Sequence, residues 1–275
     1  MTDAVYSTPE WYRQARDKDV SSDIGRLTVH HFGFKQAAGG TLVFAPVDFA
    51  SESRAILDVG TADGLWMREV QSSVASPVQG EHKFLGTDIN TAFFPTTPES
   101  GITFVKQNIQ DLPPREMQNH FDLINLRMIL IAAGSGEAQR AAVNRHIELL
   151  KPGGWIQIGD CDRVCPTSEE ENPRYHDMFA CIRAVCQASG LDPQEAPKMK
   201  GWLEEAGLEK VEERTAMRAV GKRNTDAELG RLGIEADLII AKGFAVGAKL
   251  QDLEAELTNT GAYFPMRFIW GRKPL

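Results

Sequence analysis

The sequence predicts an α/β fold in which a largely parallel sheet is covered by helices on both faces. Two observations carry that expectation. Short β-rich runs alternate with turns and helical stretches through the first 160 residues, the pattern of consecutive strand–helix units. No period of 20–50 residues recurs, which removes solenoids and propellers. The size agrees: 275 residues with 42% hydrophobic and 25% charged side chains make one large domain, or a domain with a cap.

The elements follow in order. Residues 1–50 precede the first strand and carry helix-like content at about 10–18 and 23–35, so they are expected to form a helical cap segment ahead of a main domain over 51–275. Strands are predicted at 55–59, 83–87, 102–106, 121–126 and 155–159. Between the last two, Val143, Ile147 and Leu150 repeat at helical spacing until Pro152, Gly153 and Gly154 stop the helix. Beyond the fifth strand, Tyr175, Met178, Phe179, Ile182, Val185 and Cys186 form one helical stripe over 173–189, closed by Gly190. A helix over 198–206 leads through Gly207 into an alternating strand at 209–217. A helical block at 226–257 and a strand at 262–271 end the chain. The 161–200 region is read with 1–50 as a cap over the sheet.

Charge and composition exclude several functions. Thirty Lys and Arg against 38 Asp and Glu give a net charge of −8, the wrong sign for gripping nucleic acid or an anionic membrane. The cysteines at 161, 165, 181 and 186 form neither a CxxC pair nor a zinc pattern, so no metal and no disulfide framework are expected and a reducing cytoplasm is the expected location. The polar, mixed-charge N-terminus does not read as a signal peptide, and the longest apolar stretch, at 128–133, falls far short of a membrane span.

The most informative stretch is ILDVGTADGLW at 56–66. An apolar strand ends at Asp58 and is followed by Gly60, Thr61, Ala62 and Gly64 before a helix begins, so a tight turn brings backbone N–H groups to a helix start. The spacing is GxAxG rather than the GxGxxG of dinucleotide sites. A strand–turn–helix junction with two glycines is as often purely structural. What adds weight is Asp88, which ends the next strand 30 residues after Asp58, where an acid can accept hydrogen bonds from both hydroxyls of a ribose.

On these residues the chain resembles the class I S-adenosylmethionine-dependent methyltransferases, whose first-strand motif is D/E-x-G-x-G-x-G. FVKQNIQDLP is similar to that family's third-strand segment, FDLINLR to its fourth and ELLKPGGWIQIGDCD to its helix, turn and fifth strand. RLTVHHFGF, LINLR, WLEEAGLEKVEE and FIWGRKP further resemble the LaeA-like fungal branch associated with secondary metabolism, with His30 at a Gln position and His31 at a His position. The resemblance implies a Rossmann-like, seven-stranded, mostly parallel sheet with an antiparallel last strand and a helical cap. It implies S-adenosylmethionine as cofactor, held by Asp58, Gly60, Thr61, Ala62 and Gly64, by Asp88 and Ile89, by Asn108 and Ile109 at the adenine, and by Asn125 beside the sulfonium.

Three departures stand out. Ala62 replaces a glycine, harmless if its φ stays negative and crowding otherwise. Asn108 replaces an acid, and Asn125 replaces a titratable histidine. The implied activity is methylation of a small secondary-metabolite acceptor at oxygen or nitrogen. The alternatives are a LaeA-like regulator, or a cofactor-binding protein with a non-methylating reaction such as a cyclisation.

A general base for an oxygen acceptor is sought in His31 or His176, each also readable as a structural histidine binding backbone. Arg127 is a candidate for an acidic group of the substrate, or else pairs with Asp160 or Asp162. Tyr12, Tyr175 and Tyr263 are candidates for an aromatic acceptor pocket, although Tyr175 equally fits a core stripe. A small molecule is the expected partner, and a homodimer is compatible with an oligomeric state that the sequence leaves open.

Overall fold

The computed structural model describes residues 20–77, 79–243 and 250–275. Tyr12 and the helix expected at 10–18 lie outside the described residues. Seven strands form one sheet: β1 (Ala55–Val59), β2 (Lys83–Asp88), β3 (Ile102–Lys106), β4 (Phe121–Arg127), β5 (Leu150–Cys161), β6 (Glu209–Val220) and β7 (Ala262–Arg272). Their spatial order is β3-β2-β1-β4-β5-β7-β6. The first five pair in parallel, and β7 runs antiparallel to both β5 and β6. The fold is thus a Rossmann-like, mostly parallel sheet with an antiparallel last strand.

Helices α1 (Val20–Ala37), α2 (Leu65–Ser73), α3 (Gly136–Leu149), α4 (Pro173–Ala188), α5 (Met199–Glu205), α6 (Ala227–Gly243) and α7 (Leu250–Asn259) surround it. The central strands are covered on both faces, which is why β1 reads as an unbroken apolar run apart from Asp58. One core packs α3 and α5 on one face of the sheet, through Val143, Ile147 and Leu203 against Leu57, Ile124 and Ile156. A second, under α2 and the 42–49 linker, holds Trp66, Met67 and Phe49 against Ile56, Phe84 and Leu123. A third joins α1, α4, α6 and α7 through Phe34, Phe179, Ile234 and Leu257 to Phe264 and Phe268 of β7. This third core is the cap.

Two boundaries differ from expectation. The strand expected at 155–159 starts at Leu150, because the chain re-enters register after an irregularity: Leu150 pairs with Phe121 and Trp155 already with Leu123. Gly153, at φ +79, allows the excursion, and its amide donates to Lys273 O and Pro274 O beyond the last strand. The helical block at 226–257 comprises two described helices, α6 and α7. α6 packs on α1, so this block belongs to the cap as much as the 161–200 region does. β6 is an edge strand whose exposed charged residues, among them Glu212 and Arg214, discourage further pairing. Among the described residues, no helix is long and apolar enough to cross a membrane and no group of three or more His, Cys, Asp or Glu is placed to hold a metal.

Candidate active site

The turn after β1 is built by hydrogen bonds to the end of β2. Gly60 N and Thr61 N both donate to Thr87 O, at 2.8 and 2.9 Å. Gly60 takes φ +71, and a Cβ there would lie 2.7 Å from the Ile129 side chain, so the position admits only glycine. Ala62 does not keep a negative φ: it sits at +52, in the left-handed region, while its amide donates to Asp88 Oδ2 at 3.0 Å. Asp88 Oδ1 accepts from Asn90 N at 2.9 Å. Burial pushes the Asp88 carboxyl up, opposed by the amides of Asn90, Ala62 and Ile89. The strand-end acid and the turn therefore form one hydrogen-bonded unit.

Asp58, Asn125 and Gln157 occupy one register row across β1, β4 and β5. Asn125 Nδ2 donates to Asp58 Oδ1 at 2.7 Å, and Gln157 Nε2 donates to Asn125 Oδ1 at 2.8 Å and to Leu42 O at 3.0 Å. Phe44 N in turn donates to Gln157 Oε1. Both ends of the Asn125 amide are thereby committed inside the sheet. It supports Asp58 and lines a smaller pocket beside Trp66 and Arg127 rather than the large cleft. Burial raises the Asp58 carboxyl to about 6, against the Asn125 hydrogen bond and the Arg127 charge.

Above the C-terminal ends of these strands opens a cleft enclosing about 1320 Å³, its mouth included. Its floor is Gly60, Ala62, Asp88, Ile89 and the Arg127–Ile129 segment, and its roof comes from α1, α4, α6 and β7. A side chamber lies between Asp88, Ile89, Asn108, Ile109 and Ile129, and another follows the turn from Asp58 through Thr61 to Trp66. Gly60 borders all three. Asn108 Oδ1 accepts from Gln110 N at 3.1 Å, bracing the loop after β3.

The expected bases are elsewhere engaged. Arg127 Nη2 lies 3.1 Å from His31 Nδ1, and a guanidinium only donates, so Nδ1 accepts and the ring proton sits on Nε2. That Nε2 faces Glu69 at 3.6 Å, and Glu69 is held by Lys35. Burial and the Arg127 charge bring the imidazole down to about 4 despite Glu69. His31 is neutral with its lone pair occupied, so it cannot take a proton from a substrate. It positions Arg127. His176 Nε2 donates to Thr167 O at 2.7 Å, away from the cleft lining, and pins the loop before α4.

Tyr175 is fully buried, its hydroxyl donating to Asp237 Oδ2 at 2.8 Å, while Asp237 Oδ1 accepts from Arg218 at 2.6 Å; it is a core residue and not an acceptor contact. Tyr263 lies under the Arg223 guanidinium, 4.9 Å from its ring centre, and strand alternation gives the cleft Phe264 instead. Arg127 does line the cleft. Its carboxylate counterpart is Asp58, since Asp160 faces Arg163 at 3.6 Å and Asp162 binds Arg267 at 2.8 Å.

Sequence reasoning passed over His30, which faces the cleft together with Asp23, Arg26 and Leu27. Those four positions are spaced i, i+3, i+4 and i+7, one face of a helix, and that spacing was the available signal.

No protein-family model matches the chain. It is similar to the N-methyltransferase sirN of Leptosphaeria maculans, at 30% identity over 90% of this chain and 91% of that one. Similarity extends to the N-methyltransferase gliN of Aspergillus fumigatus, 27% identical over 86% of this chain and 88% of that protein. The methyltransferase psoC of the same organism is 32% identical over 72% and 70%. Among solved structures, a methyltransferase-fold chain bound to the Haloferax volcanii Trm112 activator superposes with TM-score 0.55 at 16% identity, covering 98% of this chain and all of that one. The phosphoethanolamine N-methyltransferase 2 of Haemonchus contortus, in complex with S-adenosyl-L-methionine, also gives 0.55 at 13% identity, over 100% of this chain and 62% of its own. At those identities the structural matches speak for the fold alone, and the relatives of known name carry the rest: the chain belongs to the S-adenosylmethionine-dependent methyltransferases of fungal secondary metabolism, enzymes of small-molecule methylation.

Proposed function

We propose that this enzyme methylates a nitrogen of a small secondary-metabolite acceptor, with S-adenosylmethionine lying across the C-terminal ends of β1, β2 and β3. The observation that carries the cofactor's place is the joined unit of the Gly60–Gly64 turn and Asp88. A left-handed turn whose glycine tolerates no Cβ and a strand-end carboxylate with a side chamber beyond it fit a nucleoside bearing an amino-acid tail. Asp88 would hold the ribose, Ile89, Asn108 and Ile109 the adenine, and Asp58 with the 60–64 turn the methionine part. When bound, the cofactor supplies an electrophilic methyl group on a sulfonium. The chain's own contribution is to align the acceptor and exclude water. Nitrogen is favoured by the names of sirN and gliN. It also accords with His31, whose lone pair is occupied by Arg127, and with His176, which is turned to Thr167 O and does not line the cleft. The relatives' names likewise favour methyl transfer over a regulatory or cyclising role. Residues 1–50 would complete the acceptor pocket over the 51–275 domain, with Tyr12 contributing from the segment before α1.

Calorimetry with S-adenosylhomocysteine tests the cofactor site. Asp88→Ala removes the ribose acid and the anchor of the Ala62 amide, and should weaken binding by at least about tenfold, the loss of two charge-assisted hydrogen bonds. Asp88→Asn, which keeps an acceptor oxygen, should lose less. Equal affinity in a folded Asp88→Ala protein overturns the placement. Intact-mass detection of a methylated product from biosynthetic intermediates, followed by fragmentation, tests the nitrogen.

A further inference from the structure

The cleft is mostly apolar above the cofactor position, with Phe179, Ile182, Ile240 and Phe264 in its roof. Besides Arg127, Arg163, Asp88 and Asn90, polar groups come from one face of α1. Asp23, Arg26 and His30, with Leu27 between them, present one helix face to this space. Asp23 and Arg26 stand 3.6 Å apart and engage each other. His30 Nε2 is buried and, among the described residues, has no hydrogen-bond partner. A buried polar nitrogen left unsatisfied costs stability, and one that faces a ligand cleft is satisfied by what enters there.

The surroundings of His30 fix what that group can be. Burial and three guanidiniums, those of Arg218, Arg26 and Arg127, hold the imidazole well below its ordinary range, so the ring is neutral. Arg218 is spoken for by Asp237 and lies 4.9 Å over the Phe264 ring, and Arg127 is fixed by His31. These charges cannot swing away. Three guanidiniums around His30, with Asp23 the one carboxylate on its own helix face, oppose an ammonium there and accept a neutral or anionic group.

We propose that His30, with Arg26 one turn before it, is the specificity-determining residue for the methyl acceptor: it binds an uncharged or anionic hydrogen-bonding edge of an otherwise apolar molecule and turns away ammonium-bearing ones. The proposal rests on the cofactor placement above. It adds a substrate class, an apolar body polar along one edge, and it names the residue that reads the edge.

Three probes of one shape test it: 2-naphthol, 2-naphthoate and 2-(aminomethyl)naphthalene, titrated near neutral pH into protein saturated with S-adenosylhomocysteine. Saturation is verified first. If S-adenosylhomocysteine does not bind, the cofactor placement has failed; if it binds, the probes judge this inference alone. The naphthol and naphthoate should bind at least about tenfold more tightly than the ammonium probe. His30→Ala should weaken naphthol binding roughly fivefold, the effect of one net hydrogen bond, measured at S-adenosylhomocysteine saturation re-established for the variant because His30 also borders the chamber along the 60–64 turn. His30→Gln, whose amide reaches the place of Nε2, should keep most of the naphthol affinity, an outcome that loss of packing alone would not give. Equal or tighter binding of the ammonium probe, which would make Asp23 its partner, overturns the proposal. So does an unaltered naphthol affinity in His30→Ala, or failure of all three probes to bind.

Discussion

Ala62 carries a methyl group in the left-handed region, where a Cβ costs roughly 1–2 kcal/mol, and the bond from its amide to Asp88 keeps it there. Ala62→Gly should therefore stabilise the protein by about 0.5–1 kcal/mol, the relief being partly offset by the freedom glycine adds to the unfolded chain. Urea denaturation with an unchanged slope and a higher midpoint checks this. A lower midpoint would mean that the methyl makes contacts worth more than the strain. The substitution of alanine for glycine was legible in the sequence, but the sign of φ was not, because it is set by a hydrogen bond to a residue 26 positions away. Asp88 and the turn were legible for the opposite reason: strand end, glycine and acid are local features at a fixed spacing.

At the scale of the element, α1 decides which histidine does what. Adjacent residues on a helix point about 100° apart, so although both border the chamber along the 60–64 turn, His30 alone reaches the large cleft and His31 is the one bound to Arg127. The sequence could not set that phase, since α1 is packed on several sides: Phe34 enters the cap core, Lys35 reaches α2 through Glu69, and Gln36 exchanges amide hydrogen bonds with Asn224. Strands were easier, because β1 and β4 are covered on both faces and read as apolar runs. His31→Ala should lower turnover by less than the 10²–10⁴ expected for loss of a general base, and its pH–rate profile should run parallel to that of the wild type. Loss of an acidic limb in the variant alone would restore His31 as a base. Glu69→Gln should act in the same direction more weakly, since Glu69 touches Arg127 only through His31.

For the molecule as a whole, the packing that closes the three cores also stores ionisable groups in their neutral forms, and these act on stability with opposite signs. His146, buried in α3 with Nδ1 donating to Ala142 O at 2.7 Å, is brought by burial to about 4. Its folded-state value lies below its unfolded one, so between about 6.5 and 4 the unfolded chain binds the extra proton, and this contribution to stability is lost as pH falls. Asp58, raised to about 6 by burial, is the reverse: between about 3.8 and 6 the folded protein holds the extra proton, and stability falls as pH rises. Each group can tilt the stability curve by at most about 1.4 kcal/mol per pH unit. The wild-type slope between pH 4.5 and 6 is therefore a partial cancellation, and single substitutions should unbalance it in opposite directions. His146→Gln should flatten the loss of melting temperature on acidification. Asp58→Asn, which leaves an amide to meet Asn125, should steepen it. Melting curves of the three proteins across that range decide the matter: slopes that change in the same direction, or not at all, would mean that neither group is held neutral by the fold.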